Sequence, residues 1–131
     1  MNFLVDHNLG GHAEILLGNI ASQGWLELLS IRFVTFREIN LSIDSSDRIV
    51  WRLAQQNHLI LLTANRSMKG EDSLEQVLRE ENKVDDFPVI TIGDADRFLT
   101  DRLYRNRCVD RILEIVLDIE NWMGVGRLFI P

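Results

Sequence analysis

Apolar residues along the chain fall into short runs that alternate with longer segments of helical period. Residues 2–6 read Asn-Phe-Leu-Val-Asp, an apolar run closed by an acid, as in a buried strand. Gly10 and Gly11 read as a break. Ala13, Ile15, Leu16, Leu17 and Ile20 then recur at helical spacing, and Gly24 stops that helix. Ile31, Phe33, Val34 and Phe36 mark a second strand over 31–36. Ser45 or Ser46 is placed to cap a helix from about Asp47 to Asn57, with Ile49, Val50, Leu53 and Ala54 as its inward face. The run 59–63, Leu-Ile-Leu-Leu-Thr, is the clearest strand. It is apolar on both faces, which suits a central parallel strand covered by helices.

Residues 64–72 read as a loop containing Gly70. A mostly polar helix over 73–81 turns Leu74, Val77 and Leu78 inward. Asp85 and Asp86 form a turn, and Phe87 to Ile92 gives another strand with Pro88 near its start. A short helical piece runs from Asp94 through Arg102. A longer helix follows, the strongest amphipathic pattern in the chain, with Cys108, Ile112, Ile115, Val116 and Ile119 on one face. Gly124 and Gly126 break it, and 127–130 reads as a closing strand. Strands alternating with helices predict an α/β fold: three layers, α/β/α, around a mainly parallel central sheet of four to five strands. No repeat or low-complexity linker divides residues 1–131, so one domain is expected.

Composition agrees with this picture. At 131 residues and 46% hydrophobic content, such a chain buries roughly two-thirds of its unfolded surface and folds without a staple. Its single cysteine, Cys108, lies in a helical pattern and reads as a buried thiol in a reducing compartment. No stretch is long and apolar enough to span a bilayer, and Met1 to Asp6 lacks the basic start and apolar core of a signal peptide. A cytoplasmic protein without a membrane partner is expected. The net charge of −6 counts against a non-specific nucleic-acid clamp, whose affinity comes from neutralising phosphates. It counts less against a metal-dependent nuclease, because a bound divalent ion reverses the charge locally.

Acidic and amide residues recur where strands end. Asp6, His7 and Asn8 follow the first strand; Asp44 and Asp47 follow the second; Thr63, Ala64, Asn65 and Arg66 close the third; Gly93, Asp94 and Asp96 close the fourth. A parallel sheet brings these groups to one edge, where sites in such folds form. Gathered carboxylates repel one another unless a cation sits among them. Oxygen ligands suit Mg²⁺ or Mn²⁺, ions that support in-line displacement at a phosphate. The plainer alternative stands beside this: Asp and Asn are common at turns and helix starts, and Asp47 and Asp94 each suit a helix N-terminus.

The residues Phe3-Leu4-Val5-Asp6-His7-Asn8-Leu9 resemble the opening of the short PIN-like proteins of bacteria, in which an acid ends the first strand and an Asn-Leu pair follows. Asp47-Arg48-Ile49 and Ala54 resemble that family's second acidic motif, and Leu61-Leu62-Thr63-Ala64-Asn65 its third, a Thr-x-Asp after the third strand. The likeness spans roughly residues 3 to 92. It implies a doubly wound α/β fold and, in active members, RNA cleavage with Mg²⁺ or Mn²⁺. Many such proteins resemble toxins of toxin–antitoxin pairs, held inactive by a small partner. Carried across, the resemblance makes Asp6 and Asp47 metal ligands, with Asn65 where a third acid is expected and Asp94 as a fourth member. Asn65 is the departure, because a neutral carbonyl oxygen ligates a hard cation more weakly than a carboxylate does. Asp44, Glu71 and Asp72 are acids near enough in sequence to compensate.

Arg66 beside Asn65 is a candidate contact for a substrate phosphate. The arginines at 97, 102, 105, 107 and 111 alternate with Asp96, Asp101 and Asp110 and read as a solvated, ion-paired face. His7 and His12 read as surface residues and His58 as structural. No Ser triad and no P-loop is present: Gly10-Gly11 lacks the Lys-Ser/Thr ending. Two function classes remain. One is a Mg²⁺- or Mn²⁺-dependent endoribonuclease. The other is a PIN-like module that has lost its chemistry and acts through a protein partner or a homodimer, with Trp25, Trp51 and Trp122 as candidate contact residues. A flavodoxin-like or receiver-like domain also carries acids at strand ends, but Lys69 and Lys83 lie too early for a receiver lysine.

Overall fold

A computed structural model of the chain describes residues 1–65 and 70–131. Arg66 and Lys69 therefore lie outside the described residues. Among the described residues, five strands form one all-parallel sheet: β1 (Asn2–Val5), β2 (Arg32–Val34), β3 (Leu59–Thr63), β4 (Val89–Ile92) and β5 (Arg127–Ile130), in the order β2-β1-β3-β4-β5. Helices cover both faces, giving the three-layer α/β/α arrangement expected of the strand–helix alternation.

The two layers follow from the period of two along each strand. Phe3 and Val5 of β1, Ile60 and Leu62 of β3, and Ile90 and Ile92 of β4 face one layer. There they meet α1 (Gly10–Ser22) and α6 (Arg102–Leu117) through Leu16, Ile20, Cys108, Ile112 and Ile115. Leu4, Leu59, Leu61 and Val89 face the other layer and meet α3 (Asp47–Gln56) and α4 (Leu74–Glu81). Every residue of β3 is buried. Full burial of one aliphatic side chain contributes about 1.5–3 kcal/mol, so this strand anchors both layers.

Helix starts are set by local chemistry. Ser46 caps α3 by accepting from the Ile49 N–H at 3.3 Å, and Ser73 caps α4 by accepting from Gln76 N–H at 3.3 Å. Asp94 caps α5 (Ala95–Thr100) by accepting from Arg97 N–H at 3.0 Å. Asp101 caps α6 by accepting from Leu103 and Tyr104 N–H groups.

Several expectations are corrected. Gly10 and Gly11 open α1 instead of breaking the chain, since no Cβ is needed on a first turn that faces solvent. The second strand is only Arg32–Val34, because the chain turns at Phe36 into a short 3₁₀ turn, Arg37–Ile39. A one-turn helix α2 (Trp25–Leu28) follows Gly24, which sits at φ 78°. On α3 Val50 and Ala54 face inward as expected, but Trp51, 4% exposed, joins them in place of Ile49, which is 52% exposed. The predicted piece 94–102 divides at Asp101 into α5 and the start of α6. Among the described residues no helix is long and apolar enough to cross a membrane.

Candidate functional site

The strand order reverses between β1 and β3: the chain leaves β1 for β2 on one side and returns to β3 on the other. Doubly wound sheets open a crevice at such a switch point, beyond the C-terminal ends of the strands. Here β1 and β3 are paired Val5 to Leu62, so Asp6 and Thr63 emerge side by side. A cleft of about 490 Å³ lies there, bounded by Asp6, Asp47, Thr63 and Asn65 among others.

Asp6 stays at the edge because its backbone continues the ladder, donating from N–H to the Leu62 carbonyl at 2.9 Å. One carboxylate oxygen accepts from Asn8 N–H at 3.2 Å and the other from the Thr63 hydroxyl at 2.5 Å. Thr63 is 1% exposed. Its hydroxyl oxygen also accepts from Asn65 N–H at 2.9 Å. A single buried hydroxyl therefore links the first acidic position to the third.

Asp47 opens α3 at a point where an acid favours the helix dipole. Its carboxylate does more than that. Oδ2 accepts from the Asn65 side-chain amide at 2.9 Å and from the Leu74 N–H, at the start of α4, at 3.0 Å. The three positions Asp6, Asp47 and Asn65, from three separate segments, are thus joined by hydrogen bonds around one cleft. His7 and His12 border it too. A ring nitrogen of His12, Nε2, lies 3.0 Å from the Ala95 carbonyl.

Other sequence candidates are placed elsewhere. Asp94 is exposed and its carboxylate caps α5; it does not border the cleft. Asp44 is exposed and outside the cleft lining. Asp72 pairs with Arg48 at 2.8 Å, and the Glu71 carbonyl accepts from the same guanidinium. The candidate phosphate contact Arg66 falls outside the described residues. The arginine-rich face is largely engaged: Arg97 pairs with Asp101 at 3.0 Å, Arg111 with Glu114 at 2.9 Å, and Arg105 donates to the Phe98 and Leu99 carbonyls. Trp51 is buried, and Trp25 and Trp122 pack partly buried on the core.

Two residues take roles that the sequence did not assign to them. Thr63 was read as the end of a strand and, through the resemblance, as the first residue of the Thr-x-Asp motif, without a role of its own; its signal was a polar residue closing an otherwise apolar run. Arg127 opens the last strand, and its side chain is only 6% exposed. Its Nη1 donates to the Asn65 carbonyl at 2.5 Å. Burial pushes its guanidinium below the usual arginine range, while Glu75 and Asp47 oppose that shift.

The donor set decides what the cleft suits. Among the described residues, no three His, Cys, Asp or Glu side chains are grouped to cage a metal. The cleft offers two carboxylates, Asp6 and Asp47, with neutral oxygens from Asn65, Thr63 and Ser45. That set does not fit a site built wholly from protein carboxylates. It does fit Mg²⁺, which is commonly held by one or two carboxylates together with waters and substrate phosphates. Comparison of the chain with family models, with curated proteins and with solved structures returns no match.

Proposed function

We propose that this cleft is the active site of a PIN-like endoribonuclease that uses Mg²⁺ or Mn²⁺. The observation that carries the reading is the convergence of Asp6, Asp47 and Asn65 on one cleft at the switch point of the sheet. The ion would be held by Asp6 and Asp47, and it supplies charge neutralisation at a phosphate and a more acidic water. The chain's own residues keep those ligands in place. Thr63 orients Asp6, while Asn65 and the first N–H of α4 orient Asp47. A cytoplasmic location and control by a small antitoxin-like partner belong to the same proposal.

One observation favours a second reading, a catalytically silent module that works through a protein partner or self-association. The Asn65 amide donates to Asp47 where a third carboxylate would repel it. The cluster is then held together by neutral donors, without need of a cation.

Titration calorimetry with Mn²⁺ on the wild type, Asp6→Ala and Asn65→Asp separates the two. The nuclease reading expects saturable binding in the wild type that Asp6→Ala removes, followed by cleavage of RNA. Binding that is absent in the wild type and present in Asn65→Asp establishes the silent module. Absence of binding in all three folded proteins overturns the assignment of a metal site.

A further inference from the structure

Arg127 is unusually buried for a charged residue on an edge strand, its side chain only 6% exposed. It enters from β5, at the far end of the sheet from β2, yet its guanidinium reaches the segment after β3. Nη1 donates to the Asn65 carbonyl and lies 3.4 Å from the Thr91 hydroxyl. Nε is 3.7 Å from a Glu75 carboxylate oxygen, beyond a hydrogen bond, and the guanidinium lies 5.4 Å from the centre of the Phe129 ring. Nε and Nη2 are buried without a hydrogen-bond partner among the described residues. Leaving guanidinium N–H groups unpaired in the interior is costly. An aliphatic residue at this strand position would avoid that cost. Among the described residues, the shortest bond the arginine side chain makes is to the backbone of Asn65, the residue whose side chain holds Asp47.

We propose that Arg127 is a positioning residue for the cleft: its buried guanidinium fixes the Asn65 carbonyl and thereby aims the Asn65 amide at Asp47. The inference deepens the proposed site and takes its functional meaning from that reading. A carbonyl clamped from below and an N–H clamped by Thr63 leave the Asn65 backbone little freedom. The side chain is then delivered to the carboxylate by a rigid base, as a site demands of the groups behind its reacting residues. Glu75, on the first turn of α4, supplies the nearby negative charge that a buried cation needs.

The experiment is an NMR comparison of the isotope-labelled full chain as wild type, Arg127→Met and Arg127→Lys, without metal. The reporter is the Asn65 side-chain amide. The side-chain amides of Gln76, bonded to Glu80, and of Asn121, bonded to Asp118, serve as controls. Arg127→Met should displace the Asn65 signal from its wild-type position while both controls stay in place. Arg127→Lys keeps a charged donor and should displace it in the same direction by less. If Arg127→Met does not fold, Arg127→Lys carries the test, and an Asn65 signal at its wild-type position overturns the proposal. Movement of all three amides together also overturns it, because that marks a general structural role. Since no metal is involved, failure of Mn²⁺ binding elsewhere leaves this outcome readable.

Discussion

The side-chain amide of Asn65 donates to Oδ2 of Asp47 at 2.9 Å, across 18 positions of sequence. The contact joins the loop after the central strand to the first turn of α3. An amide and a carboxylate pair at this distance; two carboxylates do not, unless one takes a proton or a cation intervenes. Asn65 therefore changes both the charge of the cleft and the way the cluster is held.

Replacing Asn65 with Asp tests that change directly. The variant loses a donor and gains a charge facing Asp47. A hydrogen bond to a charged group contributes about 1.5–3 kcal/mol, so a loss of that order is expected at neutral pH without divalent ions. Thermal melts with and without Mn²⁺ check it. The melting temperature should fall in chelator and recover with Mn²⁺. An unchanged melt in chelator would show that the Asn65–Asp47 bond contributes nothing to stability.

The layered fold was legible because β3 is apolar on both faces and the helices alternate with strands; the period of two then sorts Ile60 and Leu62 from Leu59 and Leu61. Asp6, Asp47 and Asn65 were legible because they sit just past strand ends or at a helix start, where a parallel sheet must gather them. Asp94 shares that position in sequence, yet its carboxylate is taken by the N–H of Arg97. Nothing in spacing alone separates a cap from a cleft residue. Arg127 was not legible, because a charged residue at the start of a strand ordinarily faces water. Only the packing of β5 beside β4, with Thr91 as neighbour, brings it beneath Asn65. Trp51 takes the place of Ile49 on the inner face of α3 because positions two apart lie about 200° apart on a helix: with Val50 and Ala54 turned inward, Trp51 falls beside them and Ile49 on the far, exposed side.

Thr63→Val should separate shape from hydrogen bonding. The methyl keeps the volume of the buried residue, but Asp6 loses a donor and the Asn65 N–H loses its acceptor. A buried group left unpaired costs about 1–3 kcal/mol. Urea denaturation should show a loss in that range for Thr63→Val and a much smaller one for Thr63→Ser. Equal effects of the two would assign the loss to packing.

Gly124 and Gly24 provide a matched pair. Both have positive φ, 80° and 78°, so alanine at either meets the same left-handed strain of about 1–2 kcal/mol. At Gly24 an added Cβ meets nothing within 4 Å, whereas at Gly124 it would lie 2.8 Å from the Val84 Cα and carbonyl oxygen. The Asn82 amide also donates to the Gly124 carbonyl at 2.8 Å, so the backbone cannot easily retreat. Gly124→Ala should lower the melting temperature clearly more than Gly24→Ala. Equal losses would mean that the 82–86 turn yields without cost.

The acid limb of stability should be governed in part by the contact between α3 and α4. Arg48, whose side chain is 17% exposed, pairs with Asp72, Glu80 and Glu81, and Arg52 pairs with Glu81 at 2.7 Å. Arg52 and then Arg48 hold the Glu81 carboxyl below its ordinary 4.5, and Gln76 and then Arg48 do the same for Glu80. A carboxyl whose folded value is depressed stabilises the protein above its unfolded value, and that contribution is lost as pH falls through the folded value. Stability from these pairs should therefore be complete above about pH 5 and decline below pH 4.5. Surface pairs are screened by salt, so the decline should be shallower in 1 M salt, a strong electrolyte by this measure with a Debye length of ~3 Å. Urea midpoints measured from pH 3 to pH 7, roughly the span that brackets carboxylate titration, give the comparison. Arg48→Met should lower the midpoint at neutral pH and flatten the acid limb, because the two glutamates then titrate more nearly alike in the folded and unfolded chain. A mutant curve that falls in parallel with the wild type would move the origin of the acid limb to other carboxylates, with Asp101 first among them, since the Tyr104 N–H and then Arg97 depress it in the same way.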